Sequence, residues 1–300
     1  MRPRVQIPGP RPDSQQRARC GQAGHSLAPV ADPDAPIDRG YETLYEEFDS
    51  PLMQQLRIEA YGEDFGQHSW VTASELESCE QGLGLTASSR LLDLGCGPGG
   101  PLSFVVRRVG CRAVGVDLSN AAIAAARARM ASRGLDTLVL IQQADANEPI
   151  PFMSSSFDAV MSVDTVLHLR ERTALFREVA RVLISNGKFW FTDAAVVTGP
   201  VSSEEVALRS MHGYTQFVPS GFNERALKDA GFQLVRIEDR TGALLGNARG
   251  RLSARLAHRA ELEQVEGTAY FEQQLRYLET VVVLAERGAT SRVSYLAERR

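Results

Sequence analysis

The residues with the clearest chemical meaning lie between positions 90 and 100, where an apolar run ends on Asp93 and leads into alternating glycines. This pattern predicts a buried strand, a tight turn and a helix that begins at about Pro98. Glycines 95 and 97 admit positive φ and carry no Cβ, so a ligand can press against the backbone. Free N–H groups at the start of the helix would point into the same space. The stretch therefore predicts a site for a nucleotide-like cofactor.

Two further acids follow the next two predicted strands. Asp117 ends the apolar run Arg112–Val116, and Asp145 comes shortly after Thr137–Gln142. The carboxyl ends of parallel strands meet at one edge of a sheet, so these acids and Asp93 are expected to border one pocket. There Asp117 can accept hydrogen bonds from two ribose hydroxyls, and Asp145 can meet the amino group of an adenine. Each acid alone fits an ordinary turn, but three in one register favour a binding site.

Asp164 and His168 are the candidate catalytic residues. They follow the fourth predicted strand, Phe157–Val163, and a helical turn would place them on one face at i and i+4. A neutral imidazole, whose unperturbed pKa is about 6.5, can accept a proton from an amine or a hydroxyl. Asp164 would orient this histidine or hold a substrate cation. A structural role for His168, bonded to a backbone carbonyl, remains open beside the catalytic one.

Strands alternate with helices from residue 91 to residue 192, which predicts a parallel sheet with helices on both faces. The helices expected between the strands are Pro98–Val109, Asn120–Arg133 and Glu171–Leu183. Further strands are expected at Lys188–Thr192, Phe232–Ile237 and Arg292–Glu298.

Three regions lie outside this alternation. Tyr41–Gly84 predicts two or three helices, Val201–Ser220 is polar and predicted to be helical, and about Arg251–Arg287 is a long helical insertion. In an open parallel sheet the ligand sits beyond the carboxyl ends of the strands. The added segments are candidates to cover that crevice.

The composition narrows the class of protein. The chain has 300 residues, 43% of them hydrophobic, and a formal net charge of −4, which gives no general attraction to nucleic acid or anionic membranes. No apolar run approaches the ~20 residues needed to cross a bilayer, and the four cysteines lack close metal-ligand spacing. Residues 1–37 are rich in Pro, Arg, Gly and Gln, which predicts a disordered tail. We expect a cytoplasmic protein without a metal, and the oligomeric state stays open.

The spacing Asp-x-Gly-x-Gly-x-Gly at Asp93–Gly99 resembles the first motif of class I S-adenosylmethionine (SAM) dependent methyltransferases. Later segments match the successive motifs of this superfamily in order, over about Gly84–Val197. The resemblance implies an α/β, Rossmann-like methyltransferase fold with SAM as the cofactor. Its sheet would have seven strands, mostly parallel, with helices on both faces. The matching segments are Leu91–Gly100, Val114–Ser119, Gln143–Asn147, Ser156–Leu169 and Gly187–Asp193.

The resemblance also assigns regions and residues. A helical lid over residues 38–85 would precede a SAM-binding domain over 86–300, with cap insertions at about 198–221 and 240–290. Asp93 would favour the sulfonium cation, and Gln67, His68 and Trp70 would fold over the methionine end of SAM. A core anchor is an equal alternative for Trp70. The residues implied to bind the cofactor are Gln67, Trp70, Asp93, Gly95, Cys96, Gly97, Asp117, Leu118, Asp145, Ala146 and Ser162.

Within the superfamily the chain is similar to small-molecule N-methyltransferases, in particular phosphoethanolamine methyltransferases and, less closely, glycine-betaine-pathway enzymes. Tyr61–Phe65 and Asp164–Leu169 carry this similarity. It implies methyl transfer to a small-molecule acceptor, with an amine nitrogen as one option. A nucleic-acid acceptor is disfavoured because the chain has no basic stripe. The similarity further implies an active-site tyrosine in the N-terminal helices, where the nearby aromatic residues are Tyr41, Tyr45 and Phe48.

The chain departs from the phosphoethanolamine pattern where that family grips phosphate with basic residues after the fifth strand. Here the corresponding stretch contains His212, a weaker anion partner than arginine. A phosphorylated acceptor is therefore in question unless Arg251 or Arg276 substitutes. Two aromatic side chains would either line the acceptor or simply pack in the cap: Tyr214 and Phe217.

Two other functions use similar sequence features. A nicotinamide-dependent oxidoreductase has a comparable sheet and glycine turn, but Asp93 within the turn and the Gly-x-Gly-x-Gly spacing favour SAM. A protein that binds SAM without catalysis would carry the same cofactor residues. Turnover on a panel of acceptors separates this second alternative from an enzyme.

Overall fold

A computed structural model describes residues 38–300, and the tail predicted at residues 1–37 lies outside the described residues. The described part contains one eight-stranded sheet. The strands are β1 (Arg90–Leu94), β2 (Arg112–Asp117), β3 (Val139–Gln143), β4 (Phe157–Ser162), β5 (Leu183–Val197), β6 (Val218–Pro219), β7 (Phe232–Asp239) and β8 (Thr290–Arg299). Within residues 38–300 the α-helices are α1 (Asp38–Glu46), α2 (Pro51–Tyr61), α3 (Ala73–Leu83), α4 (Gly100–Val109), α5 (Asn120–Ser132), α6 (Arg172–Val182), α7 (Ser203–Arg209), α8 (Phe222–Asp229), α9 (Thr241–Ala257), α10 (Arg259–Glu266) and α11 (Thr268–Glu286).

The sheet has the strand order β3-β2-β1-β4-β5-β8-β7. Its pairs are parallel except for β8, which runs antiparallel to both β5 and β7. The predicted seven-stranded, mostly parallel sheet is confirmed, and the two-residue β6 adds a short parallel pair beside β5. The order reverses between β1 and β4, and a reversal of this kind opens a crevice at the carboxyl ends of the strands.

Both faces of the sheet are buried, which explains why most residues of the central strands are apolar. Leu91 packs with residues of α3, α4 and α5 on one face. Its neighbour Leu92 packs with residues of α6 and α8 on the other. Successive side chains of a strand point to opposite faces, so consecutive apolar residues such as Leu91 and Leu92 are needed to fill both layers.

Two predicted boundaries shift. α4 begins at Gly100 and not at Pro98, because Gly97 and Gly99 both adopt positive φ (52° and 78°) on either side of the proline. The fifth strand is longer than predicted and starts at Leu183, which pairs with Phe157. The ladder then shifts register before it resumes, and the left-handed Asn186 (φ 61°) lies in this irregular stretch.

The helix predicted over residues 201–220 is wrong in its extent. Only α7 forms there, and its start is fixed by a capping box between Ser202 and Glu205. Beyond it the chain runs irregularly up to β6, because tertiary hydrogen bonds take its backbone groups. The Gln216 N–H donates to the Leu167 carbonyl at 2.7 Å, and the Gln216 carbonyl accepts from Arg172 at 3.0 Å.

The other added segments are helical, as predicted, with three helices before β1 and three in the insertion. α2 and the insertion helices pack together through a separate apolar cluster that includes Leu56, Leu262 and Phe271. A second cluster joins the insertion to Trp70 and to the end of β5. α2 and the insertion helices therefore form a layer of their own beside the carboxyl edge of the sheet.

Candidate active site

A cavity of about 170 Å³ lies at the carboxyl ends of β1, β2 and β4, where the strand order reverses. Strand ends line one side of it, and α1, α7, α9 and α11 line the other. Most of the residues predicted to bind a cofactor meet here: Trp70, Asp93, Gly95, Cys96, Gly97, Asp117, Leu118, Asp145 and Ala146.

The glycine turn after β1 forms the floor of the cavity. Gly95 has a φ of 71°, and a Cβ there would lie 2.2 Å from the Thr165 side chain, so only glycine fits. The N–H groups of Gly95 and Cys96 both donate to the Val116 carbonyl, and the Gly97 N–H donates to Asp117. The N–H groups of these three turn residues are therefore used within the protein. A turn whose donors are used internally suits a cofactor without phosphates better than a dinucleotide.

The environment of Asp93 shows whether a cationic cofactor fits the cavity. Its side chain is 1% exposed, and Oδ1 has no hydrogen-bond partner among the described residues. Burial, with the nearby Asp117, raises the pKa of this carboxyl well above its usual range. An unpaired buried carboxyl is costly, and a sulfonium or ammonium group beside it would supply the missing interaction. The residues present therefore fit SAM.

Asp117 lies where β2 ends, and backbone donors fix its orientation. Oδ2 accepts from the Gly97 N–H at 2.8 Å, and Oδ1 accepts from the Ser119 N–H at 3.0 Å. Each oxygen keeps a lone pair, as the predicted contact with two ribose hydroxyls requires. Asp145 is held in a similar way by the backbone and side chain of Asn147.

We expect Asp117→Ala to weaken SAM binding by more than about 1 kcal/mol, roughly fivefold or more in Kd, because charge-assisted hydrogen bonds are lost. Calorimetric titration with SAM measures this change. The matched control is Asp158→Ala, which removes a carboxylate that pairs with Arg90 and does not line the cavity. An unchanged Kd in Asp117→Ala, with the fold intact by circular dichroism, would contradict the ribose assignment.

Two predicted cofactor residues lie elsewhere. Gln67 is 1% exposed and bonds to its own loop, accepting from the Phe65 N–H and donating to the Glu63 carbonyl. It lines a neighbouring cavity and not the main one. Ser162 is fully buried, and its hydroxyl donates to the Leu94 carbonyl, so it ties β4 to β1. Both side chains hold neighbouring backbone in place and do not line the main cavity.

Asp164 is at the cavity but does not contact His168. Its carboxylate accepts from the Arg292 guanidinium at 2.8 Å, from the Trp70 N–H at 2.9 Å and from the Thr192 hydroxyl at 2.7 Å. Arg292 is fully buried and also binds Glu75 of α3 at 2.9 Å. Asp164 thus joins three segments around the site. Because these partners occupy its carboxylate, Asp164 does not orient His168 as predicted, and other groups hold the imidazole.

His168 ends a short 3-10 helix, Val166–His168, and its two nitrogens have different partners. Nδ1 lies 2.9 Å from the Tyr214 carbonyl, which can only accept, so Nδ1 carries the proton. Nε2 is then the acceptor for the Tyr41 hydroxyl at 2.8 Å. Burial lowers the pKa of His168, which keeps the imidazole neutral at physiological pH. Burial also raises the pKa of Tyr41, so its hydroxyl stays protonated.

The three aromatic candidates in α1 and the loop after it make different contacts. Tyr45 lies over the glycine turn, with its hydroxyl 3.4 Å from where a Gly97 Cβ would be. Phe48 packs against the Arg57 guanidinium at 4.2 Å from its ring centroid. Only Tyr41 among the three reaches His168.

Sequence reasoning missed two further residues of the cavity, Arg209 and Tyr277. Arg209 is 5% exposed, donates to the Tyr277 hydroxyl at 2.9 Å, and leaves its Nε without a partner among the described residues. Arg251, one of the two arginines that could bind a phosphorylated acceptor, also lines the cavity, with its guanidinium 4.9 Å from the Trp70 ring centroid. Neither arginine forms an ion pair with a carboxylate among the side chains that the structure describes.

Comparison with known proteins identifies the family. The model of a methyltransferase domain family matches residues 92–191. Sarcosine/dimethylglycine N-methyltransferase of Halorhodospira halochloris is 30% identical over 230 residues, which cover 75% of this chain and 78% of that protein. The chain belongs to the class I SAM-dependent methyltransferases.

Two other similarities agree with this membership. Phosphoethanolamine N-methyltransferase 1 of Arabidopsis thaliana is 31% identical over 68% of this chain, which spans only 40% of that longer protein. The solved Haemonchus contortus phosphoethanolamine N-methyltransferase 2, in complex with S-adenosylhomocysteine, superposes with a TM-score of 0.72 at 19% identity. It covers 86% of this chain and 60% of its own. The methyltransferase fold and SAM as cofactor are thus confirmed, and the nicotinamide alternative gains no support.

Two further observations bear on the methyltransferase. Within residues 38–300 no helix combines the length and apolar character that a membrane span requires. The same part of the chain brings no group of three or more His, Cys, Asp or Glu side chains together in a way that would hold a metal ion.

Proposed function

We propose that this methyltransferase transfers the methyl group of SAM to an amine nitrogen of a small-molecule acceptor, with Tyr41 and His168 as the catalytic pair. The observation that carries the proposal is the 2.8 Å contact between the Tyr41 hydroxyl and His168 Nε2 at the wall of the cavity. The named N-methyltransferase relatives support a small amine acceptor.

The distribution of charge in the cavity supports the same assignment. The strand-end side carries the carboxyl groups Asp93, Asp117 and Asp145, and the helical side carries Arg209 and Arg251. A cationic cofactor is favoured on the first side and an anionic or neutral acceptor on the second. The cofactor and the acceptor would therefore approach each other from opposite directions.

The chain's own residues would manage one proton. An ammonium acceptor must lose a proton before its lone pair can attack carbon, and bound SAM supplies the electrophilic methyl group. We propose that the acceptor N–H donates to the Tyr41 oxygen, which takes this proton as its own passes to His168 Nε2. The product of the relay is an imidazolium, with the Tyr41 hydroxyl restored and the nitrogen lone pair freed. The Tyr214 carbonyl fixes the tautomer that makes Nε2 available.

We further propose the cofactor roles set out above for Asp93, Asp117, Leu118, Asp145 and Ala146, which line the cavity. Residues 38–85 would act as a lid, and the insertions at about 198–221 and 240–290 would cap the acceptor. A cytoplasmic location and the absence of nucleic-acid and membrane partners stay predictions from the composition.

Incubation of the purified protein with labelled SAM and a panel of amines, phenols and carboxylic acids tests the function. We expect label to be transferred to at least one amine and to no phenol or acid that lacks an amine. Transfer to oxygen or carbon acceptors alone would contradict N-methylation. Tight SAM binding without transfer to any class would favour the non-catalytic alternative.

A further inference from the structure

A second cavity, of about 90 Å³, adjoins the helical side of the first one. His68 and Arg251 line both cavities, so their side chains form the boundary between them. The volume equals about three liquid water molecules at roughly 30 Å³ each. The established family membership does not require this space, and the proton relay does not use it.

The interior of the second cavity suits an apolar group, because its charged residues other than Arg251 are already paired. Arg57 binds Asp64 at 2.8 Å, and Arg255 forms an ion pair with Glu266. The rest of the lining includes the apolar residues Leu44, Phe48, Met53, Leu56, Ala60 and Ala254. Its polar residues Tyr61, Gln67 and Gln274 form hydrogen bonds within the protein. Pockets of this composition bind the apolar parts of ligands.

The boundary between the cavities carries an unpaired cation. Arg251 rests on the Trp70 ring at 4.9 Å and makes no ion pair within the described residues, unlike Arg57 and Arg255 behind it. Its facing neighbours are His68, whose pKa burial holds well below the usual range, and His212, whose pKa burial lowers to about 3. Both imidazoles are therefore neutral at pH 7, so these neighbours give the guanidinium no negative charge. An anionic group of a ligand would supply one.

We propose that the acceptor is an amine that also carries an anionic group, bound at Arg251, and an apolar substituent of about three or four carbon atoms in the second cavity. This inference rests on the proposed N-methylation, since it extends the acceptor of that reaction. An α-amino acid with an unbranched aliphatic side chain has all three features. A carboxylate and a phosphonate both supply the anion, and the experiment distinguishes them.

Binding to the protein saturated with S-adenosylhomocysteine tests this proposal without turnover. Trp70 fluorescence reports the site, and the core residue Trp190, 1% exposed, gives a constant background. Glycine, norleucine, norleucinamide and 1-aminopentylphosphonic acid are titrated. We expect norleucine to bind more tightly than glycine by up to about fourfold per buried methylene, and norleucinamide to lose most of this affinity. Tight binding of the phosphonate alone would assign the anion to a phosphorus group.

Two variants separate the features. We expect Arg251→Gln to weaken norleucine binding at least tenfold. The control is Arg249→Gln on the same helix, α9, which removes an exposed partner of Glu286 and should leave norleucine binding unchanged. Ala254→Leu should fill the second cavity and reduce norleucine to the affinity of glycine without changing glycine. Met53→Phe serves as a second filling variant if the first melts early.

The binding measurements test this inference independently of turnover. Equal affinity for glycine and norleucine, or an unchanged affinity in Arg251→Gln, would overturn it. Norleucine that binds as expected while no amine on the panel is methylated would overturn the proposed function and leave the acceptor subsites standing.

Discussion

His168→Ala is expected to lower kcat by about 10²- to 10⁴-fold, the range of general acid–base catalysis, while the Kd for SAM changes less than twofold. The physical reason is that, among the described residues, His168 Nε2 is the acceptor for the Tyr41 hydroxyl, at 2.8 Å. Cofactor contacts are expected to persist because the carboxyl groups on the strand ends do not touch His168. Steady-state kinetics on the best acceptor of the panel and calorimetry with SAM give the two quantities.

Tyr41→Phe provides the matched test of the relay, because it removes one oxygen from the same pair. If the two residues act as a unit, the double variant should be no slower than His168→Ala alone. His258→Ala is the control, since this histidine pairs with Glu59 and lines neither cavity. Equal loss of turnover and of SAM affinity in His168→Ala would remove it from the mechanism.

The pH dependence gives a readout that a structural role would not change. The folded protein lowers the pKa of His168 because the imidazole is buried. The neutral base is therefore present above that lowered pKa, and kcat/KM should fall as the pH drops through it, below about 6.5. In His168→Ala this acid limb should disappear. A limb that survives unchanged belongs to another group.

The cofactor side of the site was predictable because its signals are local. Asp93 and Asp117 each directly end an apolar run, and strand ends converge by the rules of parallel sheets. The acceptor side was not predictable in the same way. Tyr41 and His168 are 127 positions apart, and nothing local distinguishes Tyr41 from Tyr45. That choice depends on how α1 packs across the finished sheet.

A long-range ion pair explains why the predicted partnership of Asp164 with His168 does not form. The i and i+4 spacing suggested a partnership with His168, but the preferred partner, Arg292, lies 128 positions away on β8. Arginine is usually a surface residue, so its burial carries no sequence signal. Arg209 was missed for the same reason. A buried guanidinium becomes visible only when the elements that enclose it are assembled.

Arg292→Leu is expected to destabilise the protein by about 3–5 kcal/mol, because it leaves two buried carboxylates without their cation. Arg292 binds Asp164 at 2.8 Å and Glu75 at 2.9 Å, with side chains that are 6% and 2% exposed. The loss would be a large share of a typical unfolding free energy of about 5–15 kcal/mol. Urea unfolding followed by circular dichroism measures it. Arg108→Leu is the matched control, because Arg108 forms an exposed ion pair with Glu80. This substitution should cost less than about 1 kcal/mol.

The charge of Arg292 and the geometry of its guanidinium can be tested separately. Arg292→Lys keeps the charge but cannot bridge two carboxylates with separate nitrogens, so we expect an intermediate loss. Adding Glu75→Gln and Asp164→Asn to Arg292→Leu removes the unpaired charges and should recover part of the stability. A loss below about 1 kcal/mol in Arg292→Leu, or no recovery in the triple variant, would show that burial of uncompensated charge is not what this arginine prevents.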